Sequence, residues 1–201
     1  MNLKKIKFNY DIVFFIIFSV ICFRKEFIYY YIAYLFIFLH EISHLFVSLL
    51  LNVKIKSLSF SLCGCCLELE NDIFNYNIYK DIIIKSAGPT FNFLCLLVFK
   101  NKYIYYINLI LFLINLFPIM PLDGFYILRD LLEIFIKKYN LVNKIVIAIN
   151  NISIISLFII GILFCIKYYN ISLLLFIVYV TIINMQMKNN YIILNKIKEL
   201  I

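Results

Sequence analysis

The sequence predicts an all-α polytopic membrane protein with about six transmembrane helices and a short β-hairpin between the second and third. Three observations carry that expectation. The 201 residues are 65% hydrophobic and only 15% charged, with a mean hydropathy of +0.98, whereas soluble domains run at about 45–50% apolar and about 25% charged. The apolar residues gather in six runs, several of them near the length of about 20 residues that a spanning helix needs. The Lys and Arg residues between the runs fall unevenly on alternate sides.

The runs cover residues 8–23, 27–51, 82–99, 103–117, 145–166 and 171–187. Backbone groups in hydrocarbon must be satisfied within the segment, so runs of these lengths are read as helices. The first follows Lys4, Lys5 and Lys7 as a signal peptide would. Arg24, Lys25 and Glu26 come next instead of a small-x-small cleavage site, which predicts a retained anchor. The first and fourth runs are short and must recruit flanking residues.

With the N-terminus in the cytosol and strict alternation, 14 of the 19 Lys and Arg fall inside and 5 outside. This bias predicts a multi-pass protein of the cytoplasmic membrane with both termini cytosolic. The net charge of +8 is thereby assigned to loops in contact with the bilayer surface. The basic residues form no patch of groove size, so no nucleic acid partner is expected. The whole chain, 1–201, reads as one membrane-embedded domain.

Two connections carry structure of their own. Residues 53–60 and 66–70 alternate with period two around Gly64, which predicts the hairpin. After the fourth run, Pro118 and Pro121 break any helix. A partly amphipathic helix is expected from near Leu122 towards Lys137. The cluster Cys63, Cys65, Cys66 lacks the C-x-x-C spacing of a metal or redox pair and has no histidine near it. Its thiols are read as small, reduced, apolar residues.

The chemistry is concentrated in "HEISH", residues 40–44, deep in the second run. His40 and His44 are the only histidines in the chain. At i and i+4 they share a helix face and can bind one zinc ion, with Glu41 as general base toward water. A charge at the bilayer centre costs about 2.5–3.5 kcal/mol on insertion scales. A helix needed only as an anchor would carry Leu at 41. A hydrolytic zinc keeps three protein ligands and an open position, so a third ligand is required. Asp123, in "NLFPIMPLDG", is the best candidate, although Asp before Gly is also a common turn or helix-capping residue. Asp130 and Glu133 are rivals, but beside Arg129 they read as a solvated helix face. The alternative to hydrolysis is an ion or proton transporter with His40, Glu41 and Asp123 as its relay. That reading expects ionisable residues on several spans and an inverted repeat, and neither is apparent.

"HEISH" in the second run, "AGPTFN" (87–92) in the third and "NLFPIMPLDG" (115–124) after the fourth resemble the site-2 protease (M50) family of intramembrane zinc metalloproteases. The three signals occur in the family's order, and all three prolines of the chain, Pro89, Pro118 and Pro121, lie inside them. The resemblance implies a catalytic core over about 27–139. It implies Zn2+ held by His40, His44 and Asp123, with Glu41 as base and Asn115 steadying the scissile carbonyl. Gly88 and Pro89 are read as a close helix approach and a kink. Phe125 departs from the pattern, since a second glycine often stands there. The run pattern predicts no inserted PDZ domain, and no C-terminal CBS domain is expected after the sixth run. The six-span form most resembles the stage IV sporulation protein FB type, which implies a sporulation sigma factor precursor as substrate and membrane regulatory partners. More generally, the expected substrate is a membrane-associated precursor cut near its cytosolic boundary.

Overall fold

The computed structural model describes residues 7–10, 28–53, 55–61, 64–69, 77–136, 138–168 and 172–200. In chain order these form β1 (Lys7–Tyr10), α1 (Ile28–Leu50), β2 (Ile55–Ser61), β3 (Gly64–Leu69) and α2 (Ile78–Val98), then α3 (Lys102–Asn115), α4 (Asp123–Phe135), α5 (Tyr139–Tyr168) and α6 (Ser172–Leu200). They belong to two units, Met1–Ile114 and Asn115–Ile201.

In the first unit, α1 shows which solvent it was built for. Phe36, His40, His44 and Ser48 recur every four residues and are buried, while Leu35, Phe38, Ile42, Phe46 and Leu50 are exposed. The apolar residues face out and the polar ones face in, the reverse of a soluble helix and the pattern expected of a helix in lipid. The helix stops at Asn52, which takes the left-handed conformation (φ 54°) that asparagine tolerates better than most residues. Its N–H donates to the Leu49 carbonyl (3.1 Å), and that of Val53 donates to Ser48 (3.0 Å).

The chain then turns through β2 and β3. These pair antiparallel from Ile55↔Leu69 to Ser61↔Gly64, with an irregularity between Ile55 and Ser57. β1 adds in parallel to β2, Lys7 opposite Ser57 through Tyr10 opposite Phe60, giving the order β1-β2-β3. Residues 8–10, expected to open the first spanning helix, are therefore strand. Their backbone is satisfied by β2 rather than by a helical turn. The rest of that expected span lies outside the described residues, as do Cys22 and Cys63.

α2 begins at Asn77, whose side chain caps the N–H groups of Tyr79 (3.1 Å) and Lys80 (3.3 Å), as an N-cap should. Lys80 Nζ reaches back to the last carbonyls of α1 at Leu51 (3.0 Å), a cation at a helix C-terminus. α1 and α2 run antiparallel, with Leu51 beside Lys80 and His40 beside Asn92. Asn101 caps α3 in the same way as Asn77 caps α2.

Among the described residues three helices are long and apolar enough to cross a membrane: Tyr31–Leu50, Ile78–Val98 and Tyr139–Lys167. α3 is apolar but has 14 residues, below the usual minimum of about 17. The chain is thus an integral membrane protein with several apolar helices.

The second unit has its own core of Met120, Phe125, Val142 and Val146, with Tyr126, Leu132, Ile136, Met187 and Tyr191 packed against it. The expected helix after the prolines runs Asp123–Phe135, with Leu122 at its N-cap position and no side-chain cap.

Candidate metal centre

α1 places His40 and His44 one turn apart, and α2 supplies what orients them. His44 Nδ1 donates to the Ile84 carbonyl (2.7 Å). A carbonyl can only accept, so that proton lies on Nδ1. His40 Nδ1 meets Asn92 Oδ1 at 2.9 Å and, with the amide oxygen on that side, donates to it. Both rings then offer Nε2 as an unprotonated ligand atom. A second hydrogen bond that fixes the tautomer is how metal-binding histidines are held. The contacts follow the antiparallel packing, with His40 opposite Asn92, His44 opposite Ile84 and Leu51 opposite Lys80. The Ile84 carbonyl lies next to the one that Pro89 deprives of its helical donor.

The two Nε2 atoms are 3.3 Å apart, and the rings stand edge to face with centroids 4.9 Å apart. Two imine nitrogens do not approach so closely without a cation or a proton to share. Nitrogens bound to one tetrahedral zinc at about 2.0–2.1 Å sit about 3.3–3.4 Å apart. The observed separation therefore suits zinc. Gly88 gives a second measure of the same place. A Cβ there would collide with Nε2 of both His40 and His44 and lie 2.5 Å from His40 Cε1. The glycine keeps clear the small space at which both ligand atoms aim. The close approach expected at Gly88 is thus an approach to the imidazoles themselves. His40 and His44 are 3% and 7% exposed, dry enough for a metal bond to compete with water. Donor type, tautomer, spacing and cradle all fit the zinc expected from the sequence.

Glu41 is half-buried on α1, between the two histidines in sequence. Asn115 is the last residue of α3 and half-buried. Asp123 is the first residue of α4, in the second unit, and half-buried. It sits one position inside the helix, past the cap, so the capping alternative for this Asp-Gly pair does not hold. A carboxylate in a first helical turn is favoured by the helix dipole. Gly124 answers a different need. A Cβ there would collide with the backbone of Leu116 and come within 2.7 Å of the Phe117 carbonyl, so only glycine lets the helix start against that strand of chain. Phe125, the departure from the family pattern, is fully buried. It packs edge to face against Tyr126 and Tyr191, with centroids 5.3 Å and 5.8 Å away.

The solvated-face reading of Asp130 is corrected. Asp130 is fully buried and accepts from Arg129 Nε (2.8 Å) and Nη2 (2.5 Å). Glu133 lies 3.6 Å from the same guanidinium. Arg129 pairs with both carboxylates, which offsets the cost of taking them out of water.

Sequence reasoning missed Asn92 and the Ile84 carbonyl as the groups that orient the histidines. The available signal for Asn92 was an amide in an apolar helix, four residues after Gly88 and so on the same face.

The chain matches the family model described as Peptidase family M50 over residues 96–160, a stretch that includes Asn115 and Asp123. Among solved structures it is similar to the site-2 protease from Methanocaldococcus jannaschii. The identity is 24%, the TM-score is 0.63, and 92% of each chain is covered. The fold is that of a site-2 protease. No curated protein matches the chain.

Proposed function

We propose that the protein is an intramembrane zinc endopeptidase that cuts a membrane-associated precursor near its cytosolic boundary. The observation that carries this reading is the buried His40–His44 pair, whose Nδ1 atoms are engaged and whose Nε2 atoms converge at zinc-ligand spacing. The M50 match and the shared fold support it.

His40 and His44 hold the metal through Nε2, and Asp123 is proposed as the third ligand. No third histidine exists in the chain, and a carboxylate completes the His-rich donor set of a hydrolytic site. Bound zinc supplies Lewis acidity, polarising the scissile carbonyl and lowering the pKa of water. Glu41 removes a proton from the attacking water and returns it to the departing amine. Asn115 donates an amide N–H to the carbonyl oxygen as charge develops there. Asn92 and the Ile84 carbonyl hold the imidazoles in the tautomer that leaves Nε2 available.

Water reaches the centre from the cytosolic side, where the Lys and Arg count places the segment that carries Asp123. A helical peptide bond is shielded, so the substrate unwinds before it is cut. The strands beside α1 offer an edge to which an extended segment can add. A sporulation sigma factor precursor is the specific substrate proposed from the resemblance of the motifs. Co-expression of such a precursor with the wild-type chain and with Glu41→Gln tests it. Processing that depends on Glu41 supports the proposal, and identical precursor patterns in both sink the sigma-factor substrate.

A further inference from the structure

Asp123 is preceded by a segment with little means to hold itself in place. Pro118 and Pro121 have no N–H to give. The backbone bonds within it are short-range: Ile119 to Phe117 (2.8 Å) and Leu122 to Ile119 (2.7 Å). At its centre lies Met120, 1% exposed, and both its backbone groups are held by side chains from distant helices. The Met120 N–H donates to Asn150 Oδ1 on α5 (3.0 Å). The Met120 carbonyl accepts from Asn184 Nδ2 on α6 (3.0 Å). The two amides also bond each other, Asn184 Nδ2 to Asn150 Oδ1 at 2.8 Å and Asn150 Nδ2 to Asn184 Oδ1 at 3.3 Å. Asn150 and Asn184 are 0% and 2% exposed.

Amides in apolar helices are costly and are retained where they bond across helices. Two asparagines that served only to join α5 and α6 would be satisfied by each other. These two also take up the single donor and the single acceptor that Met120 has, so the turn and the two helices form one closed network. On the other side of Asp123, Gly124 is seated against the Leu116–Phe117 backbone and Phe125 is locked in the core. Asp123 is thus held from both directions, by the amides three residues before it and by packing just after it.

We propose that Asn150 and Asn184 are positioning residues that clamp the Met120 turn and so fix where the Asp123 carboxylate is presented. The proposal rests on Asp123 being a metal ligand, and the test separates the two. The chain contains no Trp, so Leu122→Trp places a single tryptophan beside Asp123, excited at the red edge where the 16 tyrosines do not absorb. Acrylamide quenching of that Trp is measured in metal-free protein, with and without Asn150→Leu or Asn184→Leu. Zinc affinity of the same variants is measured by chelator competition.

The clamp predicts increased quenching and an affinity loss of about 10–100-fold, as for other groups that orient metal ligands. The double variant should be no worse than the worse single one, because the amides act as a pair. Asn150→Asp, which keeps an acceptor for the Met120 N–H, should restore much of both. If the Leu variants do not fold, Asn150→Ser and Asn184→Ser carry the same test. Folded variants with wild-type quenching overturn the clamp. Raised quenching with unchanged zinc affinity overturns its role in presenting the ligand. Full zinc retention in Asp123→Ala overturns the ligand reading instead, and the quenching still judges the clamp.

Discussion

Two places in this molecule bury polar side chains among apolar helices, and they do so to opposite ends. Around Met120 the network closes on itself. Asn150 and Asn184 bond each other and both backbone groups of Met120. Around His40 and His44 the network points to one place. Asn92 and the Ile84 carbonyl take the Nδ1 atoms, and the Nε2 atoms are turned towards one small space kept clear by Gly88. A closed network gives rigidity and asks for nothing more. A network whose ligand atoms converge on one small space can hold an ion. The same residue type, asparagine, supports both, and the place to which each network points tells them apart.

The largest expected effect breaks the chemistry and leaves both networks intact. Glu41→Gln should keep the metal and the fold and lower the cleavage rate by about 10²–10⁴-fold, the usual contribution of a positioned general base. A time course on a purified precursor checks it, and cleavage near the wild-type rate removes Glu41 from the mechanism. Next, Gly88→Ala fills the space between the imidazoles. Metal content measured by mass spectrometry should fall towards zero. The unfolding midpoint should also drop, since overpacking a close contact costs about 1–3 kcal/mol. Substitution to alanine at a lipid-facing residue of α2, such as Leu97→Ala, should leave the metal untouched.

Asn92→Ala removes the acceptor that orients His40 and should weaken zinc binding about 10–100-fold without abolishing it. An affinity equal to wild type would mean that the ring is held by helix packing alone. The smallest effect is expected at Asn77→Ala. Loss of that cap should cost about 1 kcal/mol of stability and leave zinc affinity unchanged, which separates support of α2 from support of the site.

What could be read from the sequence was what is local. The HEISH pair was legible because i and i+4 residues share a face in any helix, and α1, α2 and α5 were legible because lipid imposes long apolar runs. β1 was not, since an apolar stretch at residues 8–10 looks like the start of a helix until its pairing with residues 57–60 is known. Asn92 lies 52 residues from His40, and no short-range pattern joins them. Asp130 looked solvated because charged neighbours usually are, and its burial depends on Arg129 folding back over it. Phe125 looked like a departure from a glycine motif and is a fully buried member of a core shared with Met120, Val142 and Val146. In each case the missing information was a tertiary partner, and the sequence states only one half of such a pair.

The claim on which the rest depends is that the converging imidazoles hold a zinc ion. The direct measurement is the metal content of detergent-purified wild-type protein beside His40→Ala and His44→Ala, each first shown to be folded. About one zinc per wild-type chain is expected, as in a three-ligand hydrolytic site, and little or none in either variant. Wild-type protein that binds no zinc on reconstitution, or a histidine variant that keeps its full complement, would contradict it.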